Sequence, residues 1–203
     1  MRRSSCAVLL LVAAWAAFPT VRTQGTCDPT SVPPSTIALP SPQFQPVVTF
    51  PNASGSLNYT CNANGTLVYD GLLVNGTSDD GEYNLQIYFT SVSPPGSVSV
   101  ITSNSTGQVV ALLPTNYSTP LVTGPPPSPA DIAPARGLIG PVAAGTTPPF
   151  SNIVAFSRTQ TMGGGNSTIP QNCTIPGGAA TEHAGYPIQV PFNATYTYYS
   201  CGS

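Results

Sequence analysis

Few residues in this chain have side chains that do chemistry. Beyond the first 25 residues there is one histidine, His183, next to Glu182 in a Gly/Ala-rich stretch. A Ser-His-Asp hydrolase needs such a histidine, but the Gly-x-Ser-x-Gly turn that presents the nucleophile is absent, so His183 reads as a solvated loop residue. Asp79, Asp80 and Glu82 cluster around Gly81. Paired carboxylates can run glycoside hydrolysis, and carboxylate oxygens suit calcium. Their spacing fits no calcium-loop signature, so we read a charged turn, with Asp79, Asp80 and Glu82 as a weak calcium candidate. Gly163-Gly164-Gly165 lacks the following Lys of a phosphate-cradling loop and reads as a flexible turn. Tyr88 and Tyr199 are candidates for stacking on sugar rings, because tyrosine offers a flat apolar face with a polar tip. The competing reading is ordinary sheet packing. No cofactor is expected.

The cysteines point to a compartment. Cys6 lies in an apolar run behind Arg2-Arg3, and residues 1–25 have the layout of a secretory signal: basic start, about thirteen apolar residues, small residues before a cleavage point. The run is too short to span a bilayer, and no second one follows. That leaves Cys27, Cys61, Cys173 and Cys201 in an exported chain, an even number that reads as two disulfides. Three pairings are possible. Domain termini tend to lie close together, so we expect Cys27–Cys201 and, with it, Cys61–Cys173.

Charged residues make up only 6% of the chain, and there is no lysine. With the leader gone, Arg136 and Arg158 face seven acids, a net charge of about −5. Such a surface cannot neutralise a phosphate backbone, which excludes nucleic acid as a partner, and an anionic membrane does not attract it. Something else must keep the surface hydrated. The sequon Asn-x-Ser/Thr occurs at Asn52, Asn58, Asn64, Asn75, Asn104, Asn116, Asn166, Asn172 and Asn193, and several of these are expected to carry glycans in a host that glycosylates exported proteins.

The elements that must position these residues are strands. Along 187–201, Ile188, Val190, Phe192, Ala194, Tyr196 and Tyr198 alternate with Gln189, Pro191, Asn193, Thr195 and Thr197. Period two means one apolar and one polar face, with the sequon asparagine on the polar one. Pro191 implies an edge position or a bulge. Similar patterns mark strands near 46–51, 57–61, 66–74, 83–89 and 152–161, and 97–102 with 108–113 reads as a hairpin. Asn64-Gly65 and Asn75-Gly76 have the chemistry of tight turns. Residues 26–45 read as an extended Pro/Ser/Thr-rich leader to a domain over 46–203. Ten prolines between Pro114 and Pro149 remove too many backbone donors for regular sheet, so 114–150 reads as a long connection. The expected fold is all-β: a single antiparallel sandwich or barrel-like domain with that Pro-rich connection and two disulfides.

Three patches carry a resemblance: Leu57-Asn-Tyr-Thr-Cys61, Ser157-Arg-Thr-Gln-Thr-Met-Gly-Gly164 with Cys173 downstream, and Val190-Pro-Phe-Asn-Ala-Thr-Tyr-Thr-Tyr-Tyr199. Over about residues 38–200 the chain resembles a secreted family common in fungi and bacteria, domain of unknown function 3455. Gln160 stands where that family has Asn, and Asn172 where it has Gly. The resemblance implies export and a β fold but no chemistry. The expectation is therefore a secreted, N-glycosylated, extracellular protein, a non-enzymatic cell-wall, matrix or surface module, with matrix proteins or wall polysaccharide as partners. The alternatives are a carbohydrate-binding module or a carboxylate-dependent hydrolase.

Overall fold

The computed structural model describes residues 27–62, 64–90, 96–115, 121–142, 146–165 and 187–202. Nine strands form one antiparallel sheet: β1 Phe44–Cys61, β2 Leu67–Thr77, β3 Tyr83–Thr90, β4 Gly96–Ser103, β5 Val109–Pro114, β6 Val122–Thr123, β7 Ala135–Leu138, β8 Ile153–Gly163 and β9 Pro187–Cys201. Their order is β5-β4-β3-β2-β1-β9-β8-β7-β6. The first and last long strands are neighbours at the centre. They share a ladder from Phe44↔Cys201 to Thr60↔Pro187.

The sheet is neither a closed barrel nor two separate layers. It is one open sheet that curls over its own core. The Tyr198 hydroxyl on β9 donates to Ser99 Oγ on β4 at 2.7 Å, although β4 and β9 are four steps apart in the strand order. Four steps across a flat sheet would separate them by about 19 Å, so the inner face must be concave. The curl has a local cause. Both ladders of β9 are interrupted by bulges, at Pro46/Val48 and Phe50/Ala53 in β1 and at Ile153/Ala155 and Thr159/Met162 in β8. A bulge bends its strand and raises its twist. Asn52 (φ 52°) and Gln160 (φ 49°) take left-handed conformations inside two of them, on either side of β9. Among the described residues the far flanks meet at a bridge between Thr115 and Ile139.

The core fills the concave face, with Phe50, Val74, Leu85, Ile101 and Leu113 packed against Phe192, Tyr196 and Tyr198. The alternation in β9 holds here: Val190, Phe192, Ala194, Tyr196 and Tyr198 are all buried, and Ile188 packs against them. A second cluster lies on the opposite face of the β8–β9–β1 end, where Val32 and Leu39 cover Phe44, Ala155 and Tyr199. Residues 27–43 are thus a packed layer of the domain rather than a leader to it. Arg136 fastens this layer. Its buried guanidinium donates to the carbonyls of Thr36 (2.7 Å) and Val32 (3.0 Å).

Three expectations change. Asn75-Gly76 lies inside β2, not in a turn. A Cβ on Gly76 would meet the Ala53 Cβ of β1 at 2.8 Å, so glycine is there for close approach of strands. Asn64-Gly65 does form the β1–β2 turn, with Gly65 at φ 74°. Residues 114–150 contribute the end of β5 and all of β6 and β7, because 122–123 and 135–138 are proline-free stretches between the prolines. Pro191 sits in a central strand, one residue beyond the last β8 partner of β9 at Gly163↔Phe192. Of the disulfides, Cys27–Cys201 is present, with its Cα atoms 5.6 Å apart. It is the only pair with both members described. Cys61 is also disulfide-bonded, while Cys173 lies outside the described residues, as do the leader and Cys6.

Candidate functional site

The sheet register places the sequon asparagines. Ser54 pairs with Asn75 on one side and Asn193 on the other, so Ser54, Asn75 and Asn193 form one row across β2, β1 and β9. Leu57 is buried and Asn58 points the opposite way, with its Oδ1 accepting from Ser56 Oγ at 3.2 Å. Asn52 projects from the β1 bulge. Asn52, Asn58, Asn75 and Asn193 therefore share the convex face of the three central strands, where Asn52 and Asn75 are exposed and Asn58 and Asn193 half-buried. Asn64 is exposed in the β1–β2 turn. Asn104, in the β4–β5 turn, is tied into structure: its Nδ2 donates to the Gly81 carbonyl at 2.6 Å, and its Oδ1 accepts from Asn84. Asn116, Asn166 and Asn172 lie outside the described residues.

A shallow groove of about 700 Å³ runs along this face, lined by Asn52, Ser54, Asn75, Thr77, Asn84 and Gln86. Beside it stands Tyr88 of β3, 42% exposed, its hydroxyl donating to Gln86 Oε1 at 2.5 Å. Leu73 of β2, 37% exposed, is its partner across the β2–β3 ladder. An aromatic face next to amides and hydroxyls is the chemistry that holds a sugar ring. Tyr199 does not join it. It is 6% exposed, lies under Val32 and Leu39, and shares a 3.1 Å hydrogen bond with Ser157. Its assignment as a ligand-stacking tyrosine is corrected: both faces of β9 are covered at that end, so the alternation rule fails there.

The acids at 79–82 serve their own turn. Asp80 Oδ1 accepts from Ser78 Oγ (2.5 Å) and the Glu82 N–H (2.9 Å), and Asp79 Oδ1 accepts from the Asp80 N–H (3.0 Å). The Ser78 bond, with the Glu82 amide behind it, holds the Asp80 carboxyl below the usual carboxylate range. Among the described residues no three metal-ligating side chains converge, here or elsewhere. His183 and Glu182 lie outside the described residues.

A second hollow of about 650 Å³ is lined by Leu57, Tyr59, Pro126, Pro127, Pro129 and Asp131. Its carboxylate is already engaged: Asp131 accepts from Ser128 Oγ and the Gly163 N–H, both at 2.8 Å, pinning the 128–131 turn to the end of β8. Among the described residues no second carboxylate lines this hollow, so they offer no acid–base pair there. Sequence reading missed this anchoring role and the exposure of Leu73. An isolated Asp between prolines, or a leucine in an apolar strand, gives no signal of either.

Comparison of the chain with family models, with characterised proteins and with solved structures gives no match.

Proposed function

We propose that the protein is an exported, N-glycosylated, non-enzymatic β module of a wall, matrix or surface layer. The observation that supports this most directly is the placing of Asn52, Asn58, Asn75 and Asn193 on one solvent-facing side of the central strands, where glycans can stand in water without disturbing the core. Residues 1–25 then serve as the signal, and Cys61 pairs with Cys173. With only Arg136 and Arg158 beyond that signal and no lysine, hydration of this face is left largely to sugar. The test is expression in a glycosylating host, removal of N-glycans and peptide mapping. Loss of several glycan masses, with occupancy at Asn75 and Asn193, is expected; a product already at polypeptide mass overturns the proposal.

Tyr88 beside Gln86 and Leu73 favours a second reading, a carbohydrate-binding module. Its test is pull-down on insoluble wall polysaccharide, measuring bound protein and released sugar. Binding that Tyr88→Ala reduces roughly tenfold, the loss of one stacked ring, supports it. Release of sugar points instead to a hydrolase.

A further inference from the structure

The groove on the convex face is neutral where it is deepest and apolar at one end. No charged side chain lines it. At the apolar end Leu73 and Tyr88 are partners across the β2–β3 ladder, and both are more than one-third exposed. The adjoining row on the same face is Asn75 and Gln86. The Tyr88 hydroxyl donates to Gln86 Oε1 at 2.5 Å, so the ring lies down along β3 toward that row instead of standing off the sheet. One face of the ring is thereby held open to water beside Asn75.

Asn75 heads the sequon Asn75-Gly76-Thr77. Its side chain is exposed and makes no hydrogen bond among the described residues. By contrast, Asn104 Nδ2, the atom a glycan would need, is bonded to the Gly81 carbonyl, and Asn193 Oδ1 is bonded to Ser54. Tyr88 is the diagonal neighbour of Asn75 across the ladder, and such neighbours stand about 7–8 Å apart. Asn52, on β1 and further along the face, is roughly twice as far from the ring. The first sugar of an asparagine-linked glycan is N-acetylglucosamine, and one pyranose ring spans the shorter gap. Its C–H face is weakly positive and suits the negative face of an aromatic ring. Its acetamido group suits a groove of amides and hydroxyls.

We propose that the first N-acetylglucosamine on Asn75 folds back over Tyr88 and Leu73, covers this apolar end of the groove and stabilises the fold. The proposal rests on the glycosylation reading above and gives one glycan a docking place on the protein. The cover is tethered to the groove that it fills, so it binds without the entropic cost of a free ligand. A ring beneath this sugar is closed to wall polysaccharide. The carbohydrate-binding reading of Tyr88 therefore applies only to a chain that is bare at Asn75.

The test is thermal unfolding of the full chain secreted from a glycosylating host, with every glycan trimmed enzymatically to its first N-acetylglucosamine and occupancy read by peptide mapping. Asn75→Gln should lower the midpoint by about 2–4 °C, and should leave it unchanged in the Tyr88→Ala background. In nuclear magnetic resonance the C–H signals of the Asn75 sugar should lie upfield, shifted by the ring, and should return to ordinary positions in Tyr88→Ala. Circular dichroism reports folding, and if Tyr88→Ala fails to fold, Tyr88→Leu, which keeps an apolar side chain without the ring, decides. Three results overturn the proposal: an equal loss from Asn75→Gln in both backgrounds, sugar signals that losing the ring does not move, or Asn75 bare while other sequons are occupied. The last leaves the glycoprotein reading standing, whereas a chain with no glycan at any sequon overturns both.

Discussion

Tyr196 and Tyr198 stand two residues apart on the same face of β9, both fully inside the core, yet their hydroxyls differ. The Tyr198 hydroxyl donates to Ser99, whereas that of Tyr196 has no bond of acceptable geometry among the described residues, although the Arg158 guanidinium lies close enough to favour its ionised form. Leaving a buried polar partner unpaired is expensive, while removing an already unpaired hydroxyl is not. Tyr198→Phe, which orphans Ser99 Oγ, should therefore cost about 1–3 kcal/mol in urea unfolding, and Tyr196→Phe should be neutral or stabilising. Burial raises the pKa of both phenols above the usual tyrosine value. A raised acid favours the folded state while it stays neutral. That stability is fully present below about pH 10, the unfolded pKa, and is lost as pH rises beyond it. Alkaline titration followed by circular dichroism should show unfolding that begins there. Asp80 has the opposite sign: its lowered pKa means that the β2–β3 turn loses support as pH falls through the carboxylate range.

At the scale of elements, glycines mark where strands must come close. Gly55 on β1 pairs with Phe192 on β9, and the Phe192 ring lies over it where a Cβ would be. Gly55→Ala should displace that ring and cost about 1–3 kcal/mol, read as a lower thermal midpoint. The same logic explains what could be read from sequence. The core face of β9, from Ile188 to Tyr198, was legible because a half-buried strand writes its burial as alternation. Tyr199 was not, because its cover, Val32 and Leu39, comes from a segment about 160 residues away in the chain. Asn75-Gly76 misled because positive φ and close approach select the same residue. The short strands β6 and β7 were hidden by their prolines, since two to four residues are too few to show a period.

At the scale of the whole molecule, the fold depends on ties between distant residues. Cys27–Cys201 closes a loop with a sequence separation of 174. Replacing both cysteines with Ser should lower stability by about 3–5 kcal/mol, measured by urea unfolding under non-reducing conditions. Fold class was legible from composition and period, but the curl of one sheet over itself was not. The curl depends on bulges flanking β9, and a bulge such as Gln160 is written as an ordinary polar residue in an ordinary strand.

The central seam between β1 and β9 has a consequence for how the protein is made. β1 is complete at residue 61, but its longest ladder waits for residues 187–201. A ribosome adds about 5–20 residues per second, so β1 spends several seconds or more with that side open. The meander β1–β5 can pair as it emerges, while its concave face stays uncovered until Phe192, Tyr196 and Tyr198 arrive. Vectorial synthesis thus yields a half-sheet first and the core last, and the chain depends on protection during that interval rather than on a head start.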